Sequence, residues 1–396
     1  MEQKSRENKQ KTALKRSVTL PFLVCYGLGT ILGAGIYVLV GKVAGMAGPY
    51  TPFSFMAAAI VATFTAYSYA KLSSKYPKSA GEAVYVQEAF HKQWLSRLVG
   101  WLIIFTGIVS AATIANGFVG YLHIFVNIPD FIAIVGLILL LGFLAFWGIE
   151  ESMYVAAIIT LVEISGLGLV IFAAAPEMAN YNPEYPPLTL ESTTGIFLGA
   201  FLAFYAYIGF EDMVNIAEEV TAPARTLPLA IGISLLISTL MYGVISYAAL
   251  ASIPIDVLSE SEAPLAIIVE NAGYSPKLIG LISLFAVING ALVQIIMAAR
   301  VTYGMASQGM MHQAFAQVHP TRRTPAIATV AVTVLVLVFA LIFPLVTLAK
   351  LTSLIILCVF SLVNLSYFVI SHKRNYVSLT GFFLCLLLLA LQGLAK

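Results

Sequence analysis

About eleven stretches of this chain, each roughly 20 residues long, are apolar and nearly free of charge. They lie at roughly 18–41, 50–72, 94–122, 131–149, 153–175, 194–216, 229–251, 278–307, 325–343, 346–371 and 377–394. A hydrocarbon core of about 30 Å takes a helix of that length, and inside it every backbone N–H and C=O must be satisfied within the segment. The pattern restricts the fold to one class, an all-α integral membrane protein with about eleven transmembrane helices. Of 396 residues, 60% are hydrophobic and 10% charged, against roughly 25% charged in a soluble domain. No connector exceeds about 30 residues, so no separate soluble domain is expected.

The distribution of charge orients these runs. Lys4, Arg6, Lys9, Lys11, Lys15 and Arg16 precede the first run, and Lys71, Lys75, Lys78, Lys92 and Arg97 follow the second or enter the third. Arg225, Arg300, Arg322, Arg323, Lys373 and Arg374 fall in later connectors of the same side, which thus collects 17 of the 21 Lys and Arg residues. The opposite loop 176–193 carries Glu177, Glu184 and Glu191 and no base. Basic loops stay in the cytoplasm, so residues 1–17 read as a cytoplasmic tail rather than a cleavable signal. Short loops and a short tail point to a prokaryotic inner membrane.

Other chemistry is thinly represented. The net charge of +2 is spread over loops and makes no nucleic-acid surface. Cys25, Cys358 and Cys385 sit in apolar runs without pairing or metal spacing, as small buried hydrophobes do. The five His residues fall in loops or at run ends without ligand spacing. No cofactor, metal or catalytic constellation is expected, and an enzyme is not.

Two runs are interrupted. YGLGTILGAGIYVLVG, Tyr26 to Gly41, places Gly27, Gly29, Gly33 and Gly35 in the first. FYAYIGFEDMVNIAEEVTAPARTLPLAI, Phe204 to Ile231, brings Gly209, Glu211 and Asp212 to membrane depth in the sixth. Small residues also let helices pack closely, so the first stretch alone reads equally as packing or as a break. Paired interrupted helices, with carboxylates that must face a polar cavity or a partner, mark the substrate site of a secondary transporter. Each interrupted run heads a series of five, which fits two inverted repeats at about 18–175 and 194–371. These make a ten-helix core over 18–371, and 377–396 adds an extra C-terminal helix.

These motifs resemble the amino acid–polyamine–organocation superfamily, and in particular its bacterial amino acid permeases. GAGIYVLVG matches the family's break in the first helix, and GFEDMVNIAEEVTAPARTLPLAI matches its sixth helix and the loop after it. RVTYGMASQGMMHQAFAQVHPTRRTP, Arg300 to Pro325, matches the exit of the eighth helix, and YPKSAGEAVYV at 76–86 the loop after the second. The resemblance implies a five-plus-five inverted-repeat, leucine-transporter-like fold with alternating access. It places a substrate carboxylate at the amides of Ala34, Gly35 and Ile36, beside Gly33. The ammonium falls at the carbonyls of Ile31, Tyr205 and Ile208. Ala34 stands where relatives often carry Ser or Thr. Glu211 is expected to face the cavity, with Asp212 as a cap or gate and Tyr207 and Phe210 as shutters. Glu218, Glu219 and Arg225 read either as an inner-gate ion-pair network or as solvated loop charge.

Glu163 is the lone charge deep inside ITLVEISGLGLVIF, where many proton-coupled relatives carry a Lys. A buried carboxyl can take up a proton near neutral pH, which makes Glu163 the candidate proton-coupling residue. A neutral structural Glu and a carboxylate for sodium or a substrate ammonium are the other two readings. The expected function is secondary active amino acid transport by proton symport. An amino acid or polyamine exchanger and a non-transporting amino acid sensor are the alternatives. Amino acid, protons and lipid are the expected partners, with the oligomeric state open. The acids could draw a cationic side chain, or be neutralised by protons or by one another.

Overall fold

The computed structural model of the protein describes residues 18–78, 81–147, 153–319, 322, 324–371 and 375–394. The tail 1–17 and Arg323, Lys373, Arg374 and Lys396 lie outside the described residues, as does the side chain of Glu218. Each apolar run of the sequence coincides with helix. In chain order these are α1 Leu20–Leu32, α2 Ala34–Ala47, α3 Thr51–Lys75, α4 Gly81–Phe90, α5 Gln93–Leu122, α6 Asp130–Trp147, α7 Met153–Asn180 and α8 Leu190–Ala203. After them come α9 Asp212–Asn215, α10 Pro223–Ser252, α11 Ile255–Glu260, α12 Pro264–Asn271, α13 Pro276–Ser307, α14 Ala326–Ile342, α15 Leu345–Ile370 and α16 Tyr376–Leu394.

Among the described residues, nine helical stretches are long and apolar enough to cross a membrane. The first, Leu20–Lys75, is not one rod. It breaks at Gly33 and turns at the 3-10 segment Gly48–Tyr50, where Gly48 has φ +58. Ala326–Ile342 is apolar and shorter. Ile158, Phe172 and Leu236 are 62–65% exposed. Large apolar side chains facing outward along helices of this length fit lipid and would be untenable in water.

Several polar side chains in the spans are satisfied locally. The hydroxyls of Thr106, Thr113, Ser283, Thr302 and Ser361 each donate to the carbonyl four residues earlier, so the interior tolerates them without a partner helix. α5 lies against α13 and α15, while α1 lies between α7 and α10. α16 packs on α15, α3 and α8. Buried Asn364 of α15 accepts from Ser68 at 2.6 Å and donates to Thr65 at 3.0 Å, both on α3.

Three connectors carry ordered structure of their own. α7 continues through Pro176 to Asn180, and the rest of that connector is held by Tyr50, whose hydroxyl donates to the Pro186 carbonyl. The connector 252–277 folds into α11 and α12. The connector after the second run contains α4, a polar helix with no long apolar stripe to announce it.

Candidate functional site

α1 ends and α2 begins around one non-helical residue, Gly33, at φ −43 and ψ −137. The last carbonyls of α1 and the first amides of α2 therefore lack intrahelical partners at the same place. The second break starts where α8 tightens into the 3-10 turn Phe204–Tyr207. Ile208 is extended at ψ 135, Gly209 takes φ +128, and the helix resumes only for the short α9.

The two breaks touch. A Cβ on Gly35 would stand 2.6 Å from the Cα of Ala206, and one on Gly209 would stand 2.7 Å from the carbonyl carbon of Thr30. The Thr30 hydroxyl lies 3.0 Å from the Gly209 carbonyl, to which it donates. From α10, the buried Tyr242 hydroxyl reaches the carbonyls of Ile31 at 2.5 Å and Ala206 at 2.7 Å. A hydroxyl has one proton, so a single donor is shared between the two breaks.

A cavity of about 30 Å³ lies at this junction, lined by Gly29–Ile31, Gly33, Gly35, Ser110, Ile114, Tyr205, Ile208, Asn289, Gly290, Val293 and Gln294. That is room for a water or two, not for an amino acid. Tyr205 is fixed by its hydroxyl, 3.1 Å from that of Ser110. The side-chain oxygens of Asn289 and Gln294 are buried without a hydrogen-bond partner. Among the described residues, no Lys, Arg, Asp or Glu lines the cavity. A second cavity of about 320 Å³, lined by residues including Val38, Lys42, Asn116, Asp130 and Glu262, lies toward the far end of α2.

Glu82, Glu163, Glu211 and Asp212 are the buried acidic and basic side chains among the described residues, and all four are acidic. Glu163 is fully buried on α7. Its Oε2 lies 3.9 Å from where a Gly29 Cβ would be, its backbone carbonyl accepts from the Tyr37 hydroxyl at 2.7 Å, and one turn earlier Thr160 donates to the Cys25 carbonyl at 3.0 Å. The carboxyl therefore rests against the first break without lining the cavity. Glu211, expected at the cavity, turns back instead and accepts the Gly209 amide at 2.8 Å, capping the extended segment it follows. Asp212 accepts from Gln294 at 3.4 Å.

Among the expected shutters, Tyr207 packs on Tyr242 with ring centroids 5.0 Å apart, and Phe210 lies between Tyr69 and Phe360. Neither lines the cavity. Ile36 is buried outside it, and of Ala34 only the backbone is described. The face at the start of α1 is closed by main chain. Val18 donates to the Glu219 carbonyl at 3.0 Å and accepts from Thr221 at 2.9 Å, in a parallel bridge with Val220. Glu219 takes part through its backbone, and Arg225 is exposed. On the opposite face, His123 lies 3.5 Å from Asp130 and 4.0 Å from Glu262.

The sequence reading missed the contributions of α5 and α13 to the cavity and the burial of Glu82. Asn289 and Gln294 had a signal, being amides within an apolar run. Glu82 had none, since it lies in a polar connector where an acid is ordinary.

Membrane-length helices, with two broken ones meeting at a small cavity, define a membrane transporter. The chain belongs to the amino acid permease family, whose model matches residues 19–394. It is similar to the branched-chain amino acid permease BcaP of Bacillus subtilis (strain 168), at 28% identity over 390 residues, 91% of this chain and 82% of that protein. It is 30% identical over 387 residues to the vacuolar cationic amino acid transporter 4 of Arabidopsis thaliana, covering 91% of this chain and 64% of that protein. The chain spans less than two thirds of the plant cationic transporters it matches. A methylthioribose transporter of Bacillus subtilis (strain 168) is 27% identical over 403 residues, 94% of this chain and 85% of that protein. These relatives are permeases and transporters, not enzymes.

Proposed function

We propose that this permease is a secondary active amino acid transporter that works by alternating access and couples uptake to protons. In this reading the freed amides of Ala34, Gly35 and Ile36, at the positive end of α2, take the substrate carboxylate. The ammonium meets the carbonyls of Tyr205 and Ile208 and the amide oxygens of Asn289 and Gln294. The Ile31 carbonyl, already an acceptor for Tyr242, keeps one lone pair for it. A cavity lined by Ile31, Ile114, Ile208 and Val293 and by no carboxylate favours a neutral side chain over a cationic one. The N-terminus is cytoplasmic and the host a prokaryotic inner membrane, so the larger cavity near Lys42 faces outward.

The observation that carries proton coupling is the position of Glu163, fully buried and set against Gly29 of the broken helix. A charge there would be stripped of its hydration, so proton uptake favours the packed arrangement of α1 on α7. Uptake of labelled leucine and lysine into proteoliposomes, with and without an inward proton gradient, tests the reading. Accumulation that an uncoupler collapses is the expected result. Uptake seen only with internal amino acid, indifferent to the gradient, would make the protein an exchanger.

A further inference from the structure

Three of the buried acids are neighbours, and they come from separate parts of the chain. Glu82 lies on α4, in the connector between α3 and α5, while Glu211 and Asp212 follow the second break. All are at least 96% buried. Glu82 accepts from the Tyr69 hydroxyl at 3.4 Å. Tyr69 in turn stacks edge-on against Phe210, the residue before Glu211, at 5.4 Å. Glu82 and Glu211 are each within electrostatic reach of Asp212.

Among the described residues, no buried positive charge offsets them. No Lys, Arg or His side chain is among the buried residues described. Of the basic residues on packed elements, Lys71 and Lys75 on α3, Arg97 on α5 and Lys277 and Arg300 on α13 are exposed, and Lys350 is half-buried near the start of α15, whose Phe360 packs on Tyr69.

Two further groups point into the same region with bonding capacity unused. The Tyr85 hydroxyl is fully buried without a partner. It lies 2.7 Å from where a Gly81 Cβ would be, with Val214 of the segment after the break at 3.1 Å from the same point. Gln294, 7% exposed, donates its amide to Asp212 while its Oε1 lacks a donor. An acceptor beside a carboxyl is satisfied when that carboxyl carries a proton.

Three carboxylates ionised together in this space would repel one another and lose their hydration with no cation in return. Protons resolve both problems, and they are retained only while the face stays sealed. The cluster is joined by a short stretch of chain to the Val18–Val220 bridge: Asp212 begins α9, and Glu219 and Thr221 bond to Val18 a few residues later. Opening that face hydrates the acids.

We propose that Glu82, Glu211 and Asp212 form a proton-binding lock that holds the Val18–Val220 face closed and releases protons to that side when it opens. Glu82 is the member that ties the α4 connector to the break. Burial and the charge of Asp212 push its carboxyl up to about 7, so this member titrates in the neutral range. This lock is distinct from Glu163, and it rests on the alternating-access reading.

Spin labels on cysteines placed at the exposed residues Thr19 and Ala224 flank the bridge, in a chain whose native cysteines are replaced by alanine. Dipolar broadening between them reports closure without substrate or gradient. Strong broadening at about pH 5.5 should fade by about pH 8.5, the open-to-closed ratio rising by up to about tenfold per pH unit for each proton released. Glu82→Gln should keep the broadening at both pH values, and Glu82→Asp should restore the titration. Glu163→Gln should retain the titration. Titration in Glu82→Gln equal to that of the parent, or a parent indifferent to pH, overturns the proposal. Titration lost in Glu163→Gln and kept in Glu82→Gln would assign the lock to Glu163. Absence of gradient-driven uptake would overturn symport and leave this readout intact.

Discussion

Gly209 and Thr30 hold the two broken helices in register. The Thr30 hydroxyl donates to the Gly209 carbonyl at 3.0 Å, and a Cβ on Gly209 would stand 2.7 Å from both the carbonyl carbon and oxygen of Thr30. The contact requires a residue with no side chain, and the φ of +128 at Gly209 requires one as well. Gly209→Ala should therefore cost about 1–3 kcal/mol in strain and abolish uptake. Thermal unfolding in detergent, beside a proteoliposome uptake assay, checks both effects.

Tyr242 shares one hydroxyl proton between Ile31 and Ala206. Removing it in Tyr242→Phe leaves two buried carbonyls at the breaks short of a donor. A loss of about 1–3 kcal/mol is expected, with slower transport and the ring packing against Tyr207 kept. Unfolding midpoints of Tyr242→Phe and the parent chain decide this.

Glu163→Gln keeps the shape and hydrogen-bonding capacity of the buried side chain and removes its proton chemistry. Under the symport reading, gradient-driven accumulation should disappear while exchange against internal amino acid continues. Retained accumulation with full dependence on the pH gradient would remove Glu163 from the coupling mechanism.

The cavity lining also predicts selectivity. Leucine or another neutral amino acid should displace labelled substrate better than lysine or arginine. Gln294→Leu should raise KM by about tenfold, the equivalent of one hydrogen bond to a charged group near 1.4 kcal/mol. Competition assays on the two chains measure this directly, and lysine as the stronger competitor would contradict it.

Stability should depend on pH through Glu82. Its carboxyl is raised from an ordinary 4.5 to about 7 by burial, with Asp212 adding to the shift. Between those values the folded protein binds more protons than the unfolded chain, so stability falls as pH rises through that window and levels off above it. The parent should melt at a lower temperature at about pH 8 than at about pH 5, and Glu82→Gln should flatten this difference. Melting curves across that range provide the check.

Much of this architecture was legible in the sequence because the bilayer leaves so few options. Each apolar run coincides with helix, and the interruptions predicted at Gly33–Gly35 and near Gly209 are where the helices break. The acids at Glu163, Glu211 and Asp212 were conspicuous because they stand in apolar surroundings. Direction was not legible: Glu211 turns to the Gly209 amide because the break leaves that donor free, and Tyr207 turns to Tyr242. The role of α13 depends on packing between residues far apart in the chain, as in the contact of Gln294 with Asp212.

The sequence by itself determined that the chain spans a membrane as helices and which helices must break. Hydrophobic length and glycine conformation are local properties, and lipid enforces them without reference to neighbours. Tertiary structure alone decided which groups meet at the breaks and that Glu82, an unremarkable loop acid in one dimension, is buried with Glu211 and Asp212. Burial and mutual repulsion belong to the packed arrangement of separate segments, and no single segment carries them.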